Sequence, residues 1–271
     1  MMAYKSSIAF IGGGNMAEAL AVGIVRARIV SPESIIVSEP DPERCSYLGS
    51  RYGLITTGRN KDAAVAGGTI FLAVKPQVLP EVLEEIAPSI NKEQLVISIA
   101  AGVTLQYLEK SLPGVPVIRS MPNTPALLGS GATVISPGHG VHADMTHWAV
   151  ELFQAVGSCH ILPEDLMNAV TGLSGSGPAY VFHLAEALIE AGMAVGIPAE
   201  ESAGLVKQTI MGAARMMIET ERSPTELREM VTSPGGTTEA GLGALDEGGF
   251  SETIVEAVMA ATERAKELGK G

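Results

Sequence analysis

The chain has 271 residues, 46% of them apolar and 18% charged. Such a composition supports a buried core and excludes a disordered polymer, and the length allows one large domain or two modest ones. The net charge of −12 excludes the basic face with which a nucleic-acid binder releases counterions.

The charge is uneven. Residues 1–163 hold 11 basic and 13 acidic side chains, and residues 164–271 hold 7 and 17. An anion bound by the second half must therefore be held by local groups, against the overall field. The two cysteines, Cys45 and Cys159, form no C-x-x-C pair, which suits free thiols in a reducing compartment. The apolar run near the start, "IAFI", is too short for the core of a signal peptide. The longest apolar span, "AYVFHLAEALIEAGMAVGI", is interrupted by His183, Glu186 and Glu190, which argues against a membrane segment. A cytoplasmic protein is expected.

In chain order, "SIAFIG" (7–12) reads as a buried strand and "NMAEALAVGIVRAR" (15–28) as a helix with Met16, Leu20 and Ile24 on one side. "SIIVSEP" (34–40) is the next strand. "DPERCSYLGSRYG" (41–53) is a short helix with Pro at its start and Gly at its end. "GGTIFLAVKP" (67–76) and "LVISIAAGV" (95–103) are strands, each followed by a helix, "QVLPEVLEEIAPSI" and "TLQYLEKSL". "PVIRSMPNTP" (116–125), "GATVISPG" (131–138) and "SCHILPE" (158–164) add extended pieces, with a helix over 143–157 between the last two. This alternation predicts an α/β fold, a Rossmann-like doubly wound parallel sheet.

After Pro163 the pattern is helical: 177–197, 198–220, 223–232 and 251–270. The expected organisation is a dinucleotide-binding domain over 1–163 and an all-α domain over 164–271. These helices are long and apolar for a domain of that size, so burial against a second copy is expected.

The first chemical motif is "IGGGNMA". Gly12 permits a tight turn, Gly14 lets the backbone approach a pyrophosphate, and Ala17 lets helix and strand pack closely. The helix beginning at Asn15 and Met16 presents free N–H groups and a positive dipole end. Glu39, at the end of the second strand, is placed to accept from the adenosine ribose hydroxyls and to repel a 2′-phosphate. It predicts that NADH is used at least as well as NADPH, unless Arg44 and Arg59 turn inward. Lys75 ends another buried strand, and "MPNTP" holds Asn123 and Thr124 in a rigid turn at the same edge.

The second motif is "EMVTSPGGTTEAG" (229–241). Pro stiffens it, two glycines free its backbone, and a new helix is expected from about Thr237. Converging N–H groups at such a start favour a carboxylate. Thr237 or Thr238 serves as a helix cap, as a ligand contact, or as both. His139, His142 and His147 lack the partners of a metal site and read as surface histidines, so no metal is expected. His183 reads as a core histidine, and Ser174 and Ser176 as hinge and helix-start residues.

Seven strings, "IGGGNMAEA", "FLAVKPQ", "SIAAGV", "RSMPNTPALLGSGAT", "AVTGLSGSGPAYVF", "MVTSPGGTTEAGLGAL" and "LGALDEGGF", together resemble the pyrroline-5-carboxylate reductase family. The resemblance covers essentially the whole chain. It implies reduction of 1-pyrroline-5-carboxylate to L-proline with NADPH or NADH. It also implies a helical domain interlocked in a homodimer, in several members assembled further to a decamer. By position, it implies cofactor contacts at Gly12, Gly14, Asn15, Met16, Asn60, Ala73, Val74, Lys75, Pro76, Ala101 and Gly102. Glu39 departs from members with a small hydroxyl residue there. The substrate contacts implied are Ser233, Gly236, Thr237 and Thr238, with Glu221 from the preceding helix and Glu164. Thr238 is the implied catalytic hydroxyl, at the ring nitrogen. Two further readings stay open on the residues: a related dehydrogenase of 3-hydroxyacids or another imine, and a nucleotide sensor without turnover.

Overall fold

The computed structural model describes residues 3–269. The described chain divides into two compact units: residues up to Ser176 together with those from Ala260 onward, and Gly177–Met259. The first unit thus runs past the expected boundary at 163. The added segment holds the short helix α7 (Met167–Val170) and a π-helical turn, Thr171–Gly175.

The first unit is built on an eight-stranded sheet of order β3-β2-β1-β4-β5-β6-β7-β8. Its strands are β1 (Ile8–Ile11), β2 (Ile35–Ser38), β3 (Ile55–Thr57), β4 (Thr69–Leu72), β5 (Leu95–Ser98), β6 (Val117–Met121), β7 (Gly131–Pro137) and β8 (Gly157–Ile161). All neighbours pair in parallel except β6 and β7. The chain between those two strands, 122–130, is too short for the crossover that parallel neighbours need, so the doubly wound sheet is parallel as expected except at this one pair. β1, β4 and β5 are buried along their whole length, as strands covered on both faces must be.

The helices of this unit are α1 (Asn15–Arg26), α2 (Pro42–Tyr52), α3 (Asn60–Ala66), α4 (Leu79–Ile86), α5 (Leu105–Ser111) and α6 (Ala143–Gln154). Leu20 and Ile24 of α1, Leu48 of α2 and Trp148, Leu152 and Phe153 of α6 pack with Phe10 and Phe71 in one core. Phe10 stacks on Phe71 at 4.7 Å, and Phe153 meets Phe71 edge-on at 5.9 Å. Ala63 of α3, Leu83 and Ile86 of α4 and Leu108 of α5 form a separate core with Ile11, Ile70 and Val96. Successive residues of β1, Phe10 and Ile11, fall in different cores, as the two-residue period of a strand requires.

Local signals explain several boundaries. Asp41 caps α2 by accepting from the Glu43 N–H, and Thr104 caps α5 by accepting from the Tyr107 N–H. β3 and α3 were not anticipated in the sequence. They span three and seven residues, too few for a periodic pattern to declare itself.

The second unit is helical: α8 (Gly177–Ala194), α9 (Ala199–Glu219), α10 (Pro224–Met230), α11 (Thr237–Glu247) and the first part of α12 (Phe250–Leu268). A capping box starts α10, with Ser223 and Glu226 each bonding the other's backbone N–H. Leu227 and Ser202 are the only buried residues between 177 and 259, and α8 buries none. His183, expected in a core, is exposed and faces Glu186 at 3.2 Å. No described helix is long and apolar enough to cross a membrane.

Candidate active site

The C-terminal ends of β1, β2, β4 and β5 lie on one edge of the first unit, where an open sheet binds its ligands. Gly12 has φ +100°, and a Cβ there would stand 2.8 Å from the Ala73 carbonyl oxygen and 3.0 Å from Val74 Cγ1. Only glycine lets the first turn close against the β4 end. A Cβ on Gly14 would meet nothing within 4 Å, so open space lies beside the start of α1. The Asn15, Met16 and Ala17 amides have no intrahelical acceptor there, and no side chain caps the helix. That combination fits a pyrophosphate.

Glu39 stands at the end of β2. Its Oε2 accepts from the Gly13 N–H at 2.9 Å, and its Oε1 accepts from the Asp41 N–H at 3.2 Å. The carboxylate is therefore fixed beside the glycine turn. Asn60 opens α3, accepting from the Ser38 hydroxyl at 2.6 Å and donating to Glu85 at 2.7 Å. Lys75 is exposed past the end of β4 and makes no ion pair among the described residues. Pro76, Ala101 and Gly102 line a cleft of about 240 Å³ with Tyr107, Leu268 and Gly269. The end of α12 thus lies against the β5–α5 loop.

Glu164 finds its partners inside the first unit. Its Oε1 accepts from the Leu105 N–H at 2.6 Å and pairs with Arg119 at 3.0 Å. Arg119 is buried in β6, and burying a charge demands such a partner. The carboxylate also sits at the positive end of α5. Sequence reasoning did not single out Arg119, although a lone arginine in a buried run is an available signal. Asn123 donates to the Ser174 carbonyl at 3.0 Å and accepts from the Ala132 N–H at 2.8 Å. It braces the turn at 171–175.

In the second unit, Ser233, Pro234, Gly235 and Gly236 form a tight turn. The Gly236 N–H donates to the Ser233 carbonyl at 2.9 Å, and Gly235 has φ +71°. Proline second and a positive-φ glycine third is the requirement of a type II turn. A Cβ on Gly236 would collide with Ser233 Oγ. α11 starts at Thr237 with Gly236 as its cap residue and no side-chain cap. Neither threonine is therefore spent on capping. The Thr237, Thr238 and Glu239 amides lack intrahelical acceptors, and Glu239 Oε2 instead braces the turn from the Gly235 N–H at 2.6 Å. Glu221 is exposed in the loop past α9, whose cap is Thr220, so it does not belong to the preceding helix as expected. The histidines at 139, 142 and 147 form no group of metal ligands, and no such group occurs among the described residues.

A glycine turn at β1, a carboxylate fixed at the end of β2 and an open helix start are the features of a Rossmann-type nucleotide-binding unit. Residues 7–102 match the family described as NADP oxidoreductase, coenzyme F420-dependent, and residues 164–268 match pyrroline-5-carboxylate reductase dimerisation. The chain is 46% identical over 97% of its length to a pyrroline-5-carboxylate reductase of Synechocystis, covering 98% of that protein. Among solved structures, the Coxiella burnetii pyrroline-5-carboxylate reductase superposes with a TM-score of 0.94 at 40% identity, covering 98% of this chain and 100% of that one. The Plasmodium falciparum pyrroline carboxylate reductase, solved with NADP bound, gives 0.87 at 32% identity, covering 98% and 99%. The chain belongs to the pyrroline-5-carboxylate reductase family.

Proposed function

We propose that the protein reduces 1-pyrroline-5-carboxylate to L-proline with NADPH or NADH, the last step of proline synthesis. The observation that carries this reading is the rigid turn over 233–236 opening α11 with uncapped amides, in a chain that matches a family member over 97% of its length. The bound nicotinamide supplies the hydride. A protonated cyclic imine is already a good acceptor, so the chain needs no strong acid of its own. It needs a cradle for the carboxylate and a hydrogen bond at the ring nitrogen.

The amides of Thr237 and Thr238, with Gly236 and the Ser233 hydroxyl, supply the cradle. Oriented backbone dipoles hold an anion there despite the acidic surroundings. The Thr238 hydroxyl hydrogen-bonds the ring nitrogen or passes it a proton. Gly12, Gly14, Asn15 and Met16 receive the pyrophosphate, while Asn60, Ala73, Val74, Lys75, Pro76, Ala101 and Gly102 frame the rest of the nucleotide. Glu164 contributes by fixing Arg119 and the start of α5, and Glu221 stands as a further contact from its loop. Thr238→Ala is expected to lower turnover at least tenfold, about 1.4 kcal/mol, with nucleotide binding nearly intact. An unchanged rate removes Thr238 from the mechanism.

The reading includes a homodimer formed through the second unit, the building block of a larger assembly such as a decamer. The exposed Phe182, Leu205, Ile218, Val255 and Met259 support it, because apolar surface of this extent marks an interface. A monomeric mass by light scattering at micromolar concentration would overturn it. The free thiols Cys45 and Cys159 support a cytoplasmic location.

A further inference from the structure

One network on the first unit is not used by the reaction just described. Arg44, on α2, donates from Nε to the Gly13 carbonyl at 2.7 Å. Its Nη2 lies 2.5 Å from Glu18 Oε2 on α1, and its guanidinium stands 5.1 Å from the centre of the Tyr47 ring. Glu18 is held in turn: its Oε1 accepts from the Tyr52 hydroxyl at 2.6 Å and from the Tyr47 hydroxyl at 3.1 Å. Arg51 donates to the Tyr52 hydroxyl at 3.1 Å. The Arg44 and Glu18 side chains are 23% and 17% exposed, so this pair is far less open to water than Arg59 with Asp62, at 78% and 40%. Gly13 is thus held through both of its backbone groups, its N–H by Glu39 and its carbonyl by Arg44.

We propose that Glu18 is a specificity-determining positioning residue that holds Arg44 on the glycine turn and so withholds its charge from a ribose 2′-phosphate. A guanidinium is the side chain best suited to receive that phosphate. To do so, Arg44 must break its charge-assisted bond and leave a half-buried carboxylate unpaired, which is costly. Burial pushes the Glu18 carboxyl upward, but the hydrogen bonds from Tyr52 and Arg44 and the Arg44 charge outweigh it and hold the group below its ordinary value. Glu18 therefore keeps its charge, and its grip on Arg44, at neutral pH. Ribose selection at this edge then depends on two carboxylates. Glu39 stands at the ribose, and Glu18 acts one step removed, through Arg44.

The inference rests on the nucleotide-binding reading of the first unit. It is tested by titrating the full-length protein with NADH and with NADPH, following nucleotide fluorescence. Glu18→Gln is expected to tighten NADPH binding about fivefold and to leave NADH within about twofold, the scale of one partly exposed ion pair. Glu18→Gln combined with Arg44→Gln should lose that gain. Tyr52→Phe, which removes one support of Glu18 and no charge, should shift the same ratio in the same direction by less. It carries the test if Glu18→Gln fails to fold. An equal change for both nucleotides, or a gain that survives without Arg44, overturns the proposal. If the unaltered protein binds neither nucleotide, the nucleotide-domain reading falls and this inference with it.

Discussion

The two units solve the problem of apolar surface in opposite ways. The first closes two cores around a sheet whose central strands are wholly buried. The second leaves Phe182 63% exposed and Ile218 82% exposed, with α8 burying nothing. An isolated helix bundle cannot be stabilised by faces left in water. In the proposed dimer the helices of the second unit are completed by what another copy covers, whereas those of the first are specified within the chain.

The sharpest way to break this contrast is a matched pair of truncations. Phe71→Ala, in the stacked aromatic core, should cost about 3–5 kcal/mol. Phe182→Ala should barely change the intrinsic stability of the chain but should weaken self-association. Urea unfolding and sedimentation read the two effects, and equal costs for both would erase the distinction.

A smaller effect separates positioning from contact at the sheet edge. Glu164→Ala leaves Arg119 buried without its partner, and should destabilise by about 2 kcal/mol, discounted from the cost of a fully buried pair because Glu164 is partly exposed. Loss of substrate affinity with no loss of stability would instead make Glu164 a substrate contact. The smallest effect concerns thiols. Burial pushes the Cys159 thiol up to about 11, so at pH 8 only about one molecule in a thousand carries the reactive thiolate. Alkylation of Cys159 by iodoacetamide should therefore be slow in the folded protein and rise on unfolding. Rapid labelling under native conditions would contradict the packing around β8.

Legibility in the sequence followed the range of the interaction. The glycine turn was readable because strand, turn and helix start are contiguous. The same holds for the turn at 233–236, where proline and glycine occupy the positions their backbone angles require. β3 and α3 were not readable, being only three and seven residues long. The antiparallel β6–β7 pair was encoded in the length of its connection, a signal that strand propensity alone passes over. The grip on Arg44 was invisible, since Glu18 lies 26 positions from Arg44 and 34 from Tyr52. Arg44 and Arg59 looked equivalent in the sequence. Only packing distinguishes the covered pair from the open one.

The central claim, that this chain turns a five-membered imine acid into proline, is met most directly by one assay. The protein is given 1-pyrroline-5-carboxylate with NADH and with NADPH side by side, and L-proline is measured as the product. The account predicts proline formation with both nucleotides, with NADH at least as efficient as NADPH because Glu39 is fixed beside the glycine turn. Tight nucleotide binding with no proline formed from either would contradict it.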